Sequence, residues 1–341
     1  MKYCYIETLI RNLRTQIMGL AILLIMLSHS VVKYKGWHWG EGGHFILDFG
    51  VIGVDLFLLV SGFGLYYSIM STKGTKAFYK KRLKRILPGY WFVIILYQVI
   101  SFVHFGFRYK TLCDLIIELT TIGFWLSLFK FSNPYWYISG ILFLYIITPF
   151  LVRIINDNWN KWRKILLLIV LSAFFVNTII TSFVHGCYYL LFSRVPIFVI
   201  GLILGRFSYY HSHVQINKQS ICFISIILFL VMWLLCCKYS VFIHYALGYG
   251  IVFATFILII PGLLLLVYYL NCLKLCSSIL FFMGSISLEL YLCHGLEYRL
   301  MSLFGIEHNI AVSILFFIGT IPLAVVLNNA MSISQLIAKS K

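Results

Sequence analysis

Leu13–Trp37 reads "LRTQIMGLAILLIMLSHSVVKYKGW". From Ile17 to Val32 the stretch is almost wholly apolar, yet His29 stands inside it. At 1.5 Å per residue a run of this kind is long enough to cross a bilayer as a helix. An ionisable ring near the far end of such a helix costs several kcal/mol unless it is paired or put to use. The stretch therefore sets both the solvent of the chain and the group around which a function is to be sought.

The rest of the sequence has the same character. Of 341 residues, 62% are hydrophobic and only 11% are charged. A soluble domain is about a quarter charged, so soluble classes are excluded. Apolar runs place about ten spans, at about 15–34, 45–70, 86–106, 135–153, 164–184, 188–206, 220–237, 243–270, 279–298 and 309–332. The stretch 111–130 carries Asp114, Glu118 and several threonines, and reads as interfacial or re-entrant. The first run lacks a small-residue cleavage site and reads as a span rather than a signal peptide. No internal repeat or linker divides the chain. The expectation is an all-α, polytopic integral membrane protein, with residues 1–341 forming one transmembrane domain.

Lysine and arginine set the sidedness. With the N-terminus cytoplasmic, most of the 27 basic residues fall in inner loops and tails, and both termini lie inside. Reading 111–130 as another span would put the basic loop "RIINDNWNKWRK", Arg153–Lys164, outside. The net charge of +17 is explained by inner loops facing anionic lipid, and no nucleic-acid partner is implied. The nine cysteines lie mostly within apolar runs without metal-ligand spacing. No metal site is expected.

The ionisable residues inside the spans are His29, Asp48, Asp55, Arg194, Glu289 and His294. Helix rise puts His29, Asp48, Arg194 and His294 in the outer third of the bilayer, and Asp55 and Glu289 nearer its midplane. The densest basic cluster, in "TKGTKAFYKKRLKRILPGYW" (Thr72–Trp91), sits at the inner face. A histidine-centred polar set facing outward above a basic inner mouth suits a cytoplasmic anionic donor that passes a group to an acceptor on the far side.

Six segments resemble the membrane-bound acyltransferase-3 family. They are "MGLAILLIMLSHS" (Met18–Ser30), "GVDLFLLVSGFGLYYS" (Gly53–Ser68), "FYKKRLKRILPGYW" (Phe78–Trp91), "NPYWYISGILFLYIITPFL" (Asn133–Leu151), "SRVPIFVIGLILGR" (Ser193–Arg206) and "GSISLELYLCHG" (Gly284–Gly295). They occur in the family's order over nearly the whole chain. The resemblance implies a multi-pass enzyme of the cell membrane that moves acyl groups, usually acetyl from acetyl-CoA, onto hydroxyls of envelope or exported carbohydrates. Acetyl-CoA is then a donor substrate and no cofactor is implied. The resemblance also implies that His29 is catalytic and that Arg82 and Arg85 are the family's arginine pair in the first inner loop. The family's usual arginine, eleven residues before the histidine, is here Met18, and Arg14 lies one turn earlier.

Each residue has a functional and a plain reading. His29 can take a proton from a sugar hydroxyl or become acylated; otherwise it is an imidazole bonded to a neighbouring helix. Arg82 and Arg85, at i and i+3, can grip phosphates with two guanidinium forks, with Arg14 nearby; otherwise they only set topology. Asp48 and Asp55 share a helix face, and either can orient His29. Arg194 can pair with one of them or stabilise an oxyanion. Glu289 and His294 are about 140° apart around their helix and point to different neighbours. Trp136 and Tyr137 can stack on an acceptor sugar or belong to the interfacial aromatic belt, and Ser61 and Gly62 permit close helix packing. The rival classes are a transporter or flippase of sugars or organic ions, and an inactive scaffold of a polysaccharide assembly complex.

Overall fold

The computed structural model describes residues 3–31, 49–106, 109–126, 134–157, 189–211, 213–238, 246–306 and 310–340. Among them, five helices are long and apolar enough to cross a membrane, or seven if two bent pairs each count as one span. The chain is thus an all-α membrane protein. Of the ten expected spans, 164–184 lies outside the described residues.

Strand β1 (Tyr3–Tyr5) leads into α1 (Ile6–Asn12) and then α2 (Arg14–Val31), which turns 83° from α1. The short α1 buries Ile6, Leu9 and Ile10 on one side and exposes Arg11 and Asn12. It therefore lies across the end of the bundle instead of lengthening the span. A 3₁₀ turn (Phe49–Val51) opens α3 (Ile52–Ser71). Next comes α4 (Thr75–Phe105), a single helix running from the lysine-rich segment through Pro88 into the apolar span. The segment expected as an inner loop is thus mostly helical, because its Lys and Arg residues are good helix formers that need no burial.

Of the stretch 111–130, residues 111–126 are described, and no helix among them is long enough to span. They belong to α5 (Tyr109–Leu119) and α6 (Ile122–Trp125), separated at Thr121, whose φ of 59° ends the helix. Eleven residues reach about 16 Å, half of a hydrocarbon core. Helices α7 (Trp136–Asp157), α8 (Tyr189–Phe192) and α9 (Val195–Tyr209) follow. Strand β2 (Gln215–Asn217) then pairs antiparallel with β1, Tyr3 opposite Asn217. Beyond it run α10 (Lys218–Lys238), α11 (Ala246–Leu270), α12 (Lys274–Ser285), α13 (Ser287–Leu303) and α14 (Ile310–Ser340).

The expected span 279–298 takes in parts of two helices, α12 and α13, which together are long and apolar enough to cross a membrane. It is broken at Ile286, where φ −113° and ψ 21° leave the helix and turn α13 by 71° from α12. Gly284, Ser285 and Ser287 around the break make helix continuation weak.

Glycines bring the central helices to backbone contact. A Cβ on Gly284 would lie 1.8 Å from the Thr15 carbonyl oxygen, and one on Gly19 would lie 2.0 Å from that of Leu280. These two close the α2–α12 crossing from both sides. Gly62 meets Phe198 and Gly201 meets Leu59 in the same way at the α3–α9 crossing. Helix α3 is the centre of the bundle, 72% of its apolar window being buried, whereas α14, at 22%, turns its surface to lipid.

Candidate active site

Arg14, Met18, Ile25 and His29 fall on one face of α2 by helical spacing. Three of them, Arg14, Met18 and Ile25, line a cavity of about 170 Å³. Helix α3 contributes Val54, Phe57, Ser61 and Leu65, and α7 contributes Tyr137, Ile138, Ile141 and Tyr145. Because α3 and α7 run opposite to α2, Leu65 and Tyr145 stand at the Arg14 level and Val54 and Tyr137 at the Ile25 level. Helix α4 supplies Arg82, Arg85 and Ile86, and α13 supplies Ser287, Leu288 and Tyr291.

The cavity is polar at one end. Arg14, Arg82 and Arg85 converge there with Tyr145. Gly64 makes room for Arg14: a Cβ at that position would lie 2.7 Å from Nη2. Arg82 Nε is buried without a hydrogen-bond partner. Arg85 Nη1 stands 3.5 Å from Glu289 Oε1, and the other oxygen of that buried carboxylate has no partner. Two orphaned polar atoms beside three cations make a place prepared for an anionic group that also carries hydrogen-bond donors. Met18 forms the wall one turn above Arg14. Arg14 thus lines the same cavity as Met18, the position at which the resemblance places an arginine.

The walls between are apolar, relieved by phenols and one hydroxyl. Tyr291 donates its hydroxyl to the Pro134 carbonyl, and Ser61 shares the wall with Tyr137. One turn past Ile25, His29 Nδ1 lies 2.9 Å from His294 Nε2. The two ring planes are within 18°. His294 is fully buried, its Nδ1 3.1 Å from the Leu290 carbonyl oxygen.

The remaining expected residues fall into place around this line. Glu289 and His294 both point inward because α13 packs between α4 and α2, and the first faces Arg85 while the second faces His29. Asp55 does not reach His29 in the structure; its Oδ1 stands 3.4 Å from Arg194 Nε. Arg194 opens α9, donates to the Leu190 carbonyl at 2.7 Å and sits over the Trp136 ring at 5.6 Å. Trp136 thus supports Arg194, whereas Tyr137 faces the cavity. Asp48 lies outside the described residues. Among those described, no three His, Cys, Asp or Glu side chains are grouped to hold a metal ion.

Sequence reasoning passed over three sets of residues. Tyr145 and Tyr291 line the cavity, and the signal for both was a polar-tipped ring on the inward face of an apolar run. Arg299 makes a two-pronged bond to Glu118, at 2.8 and 3.1 Å, and stacks on Tyr97. Gln98 bonds the same carboxylate, tying α5 to α4 and α13.

A protein of Acidianus two-tailed virus named "Putative acetyltransferase ORF330" is 27% identical over 274 residues, covering 77% of this chain and 78% of that protein. No solved structure matches the chain. The acyltransferase-domain profile of the acyltransferase-3 family matches residues 17–329, and that span takes in every described residue of the cavity and its histidine pair except Arg14, so the chain belongs to this family of membrane acyltransferases.

Proposed function

We propose that the protein transfers acetyl from cytoplasmic acetyl-CoA to a hydroxyl of a cell-envelope or exported carbohydrate, with His29 as general base. One observation carries the reading. A single cavity leads from three guanidiniums to within one helical turn of the paired His29. The excess of Lys and Arg around Arg82 and Arg85 assigns that end to the cytoplasm. The phosphates of the donor bind Arg14, Arg82 and Arg85, and its uncharged arm lies along the wall of Met18, Ile141 and Leu288. His29 stands about 21 Å from Arg14–Thr15 along α2. The thioester meets it there, and the acceptor hydroxyl arrives from the outer side.

In the transfer, His29 removes the proton of the acceptor hydroxyl as its oxygen attacks the thioester carbonyl. The carbon–sulfur bond breaks and the departing sulfur receives that proton from His29. The products are an ester and free CoA, and the imidazole is neutral again. The two bent helix pairs do not favour a transporter, because both bends lie at the basic end. Broken helices of transporters meet at the midplane.

The test is purified protein in detergent with radiolabelled acetyl-CoA and a sugar acceptor. The wild type is expected to release CoA and form labelled ester. His29→Ala is expected to lose at least about 10²-fold in rate, the usual worth of a positioned base, while inserting and folding normally. A wild-type protein that releases no CoA under any acceptor overturns the enzymatic reading. A variant keeping a tenth of the rate removes His29 from the chemistry.

A further inference from the structure

Phe57 of α3, Tyr137 of α7 and Tyr291 of α13 stand side by side on the apolar part of the cavity wall. Their ring centroids are 6.3 Å apart from Phe57 to Tyr137 and 5.5 Å from Tyr137 to Tyr291, so neighbouring rings touch along an arc. Helix α2 runs along the side that the arc leaves, and its buried Ile25 lines the cavity there. The arc is held in place. Tyr291 donates its hydroxyl to the Pro134 carbonyl, and its ring meets those of Tyr135 and His294 edge-on. Gly53, one turn before Phe57 on the same face, brings α3 against the backbone of α2. A Cβ there would lie 2.3 Å from the Ala21 carbonyl oxygen and 2.9 Å from Ile25 Cγ1. Backbone contact therefore sets how far Phe57 stands from α2. The cavity of about 170 Å³ runs from Arg14 to Ile25. Spread over about 16 Å of helix, that volume makes a channel and not a chamber.

We infer that this arc of rings selects the acyl group of the donor by its width: facing Ile25, it passes unbranched acyl chains and turns back those branched beside the carbonyl, and Phe57 sets the limit. This rests on the donor entering at the three guanidiniums, as proposed above. An acyl group that enters there leads the sulfur and the arm behind it, so it threads the arc before the thioester reaches His29. The arm next to the sulfur is a plain methylene chain. A slot that fits this chain also fits an unbranched acyl group, whereas a second methyl on the carbon beside the carbonyl must push close-packed walls apart. Phe57 is the one ring of the three without a polar atom, so shortening it widens the slot and strands no hydrogen-bonding group.

The experiment compares CoA release from acetyl-CoA, n-butyryl-CoA and isobutyryl-CoA by the full chain in detergent with a sugar acceptor. The two butyryl isomers contain the same atoms and differ in width. The wild type is expected to use n-butyryl-CoA at least about tenfold faster than isobutyryl-CoA, and Phe57→Ala to bring that ratio within about threefold. Phe57→Leu makes the same comparison should Ala fail to fold, and Ile25→Ala, widening the slot from α2, is expected to move the ratio in the same direction. Equal wild-type rates on the two isomers, or a ratio that none of these variants lowers, overturns the inference. So does a wild type that uses acetyl-CoA and neither isomer, since length is then the filter. A wild type that releases CoA from none of the three overturns the transferase reading along with this one. An unchanged ratio in active variants removes only the selector.

Discussion

At the basic end of the cavity Arg85 keeps 49% of its side chain exposed while facing Glu289; around the histidine end Arg194 keeps 1% and Asp55 3%. The first pair borders a mouth open to water and can rearrange around an incoming anion. The second is sealed among α3, α7 and α9, where a charge without its partner has no water to turn to. In the proposed transfer, binding at one end is shared among several cations, each replaceable at modest cost. The chemistry proposed for the other end depends on single buried contacts.

Three substitutions probe that contrast, beginning with the largest effect. Asp55→Ala strands the Arg194 guanidinium and should lower stability by about 3–5 kcal/mol, read as a fall in the thermal midpoint of the detergent-solubilised protein. An unchanged midpoint would show that the buried end tolerates loose charge as the basic end does. Arg82→Lys combined with Arg85→Lys keeps every charge but loses the forked geometry. It should raise the KM for acetyl-CoA about tenfold, equivalent to one charge-assisted hydrogen bond, and leave the thermal midpoint in place. A wild-type KM would confine the pair to setting topology. Gly64→Ala is the smallest change. The three atoms nearest the added methyl all belong to the Arg14 guanidinium, the far end of a flexible side chain. The helix should gain about 0.5–1 kcal/mol while KM rises a few-fold with kcat constant. Equal KM would take Arg14 out of the donor grip.

Much of this was legible in the sequence, for physical reasons that differ by residue. Membrane insertion makes each intramembrane charge conspicuous, so His29, Asp55, Arg194, Glu289 and His294 stood out against apolar neighbours. Their partners did not stand out, because pairing is set by helix crossings. Nothing in the spacing of Asp55 and Arg194 says that α3 and α9 touch along Gly62 and Gly201. Asp55 therefore looked as available to His29 as to Arg194. The break at Ile286 was hidden for another reason. Gly284, Ser285 and Ser287 weaken a helix there without forbidding one, and the close approach of Gly284 to Thr15 is a contact between helices that the sequence does not display. The i, i+3 spacing of Arg82 and Arg85 put that pair on one helix face, but that a single helix runs from Thr75 through Pro88 was masked by the charge of the segment, which reports sidedness and is silent on backbone conformation.

The α2–α12 crossing has a consequence for how activity maps onto sequence. Gly19 and Gly284 each rest on the opposite backbone, so a methyl at either forces α2 and α12 apart. His29 rides on the same rigid rod, about 15 Å beyond Gly19. A saturation scan scored only by product formation would rank Gly284 beside His29, although it bears no side chain and touches neither substrate.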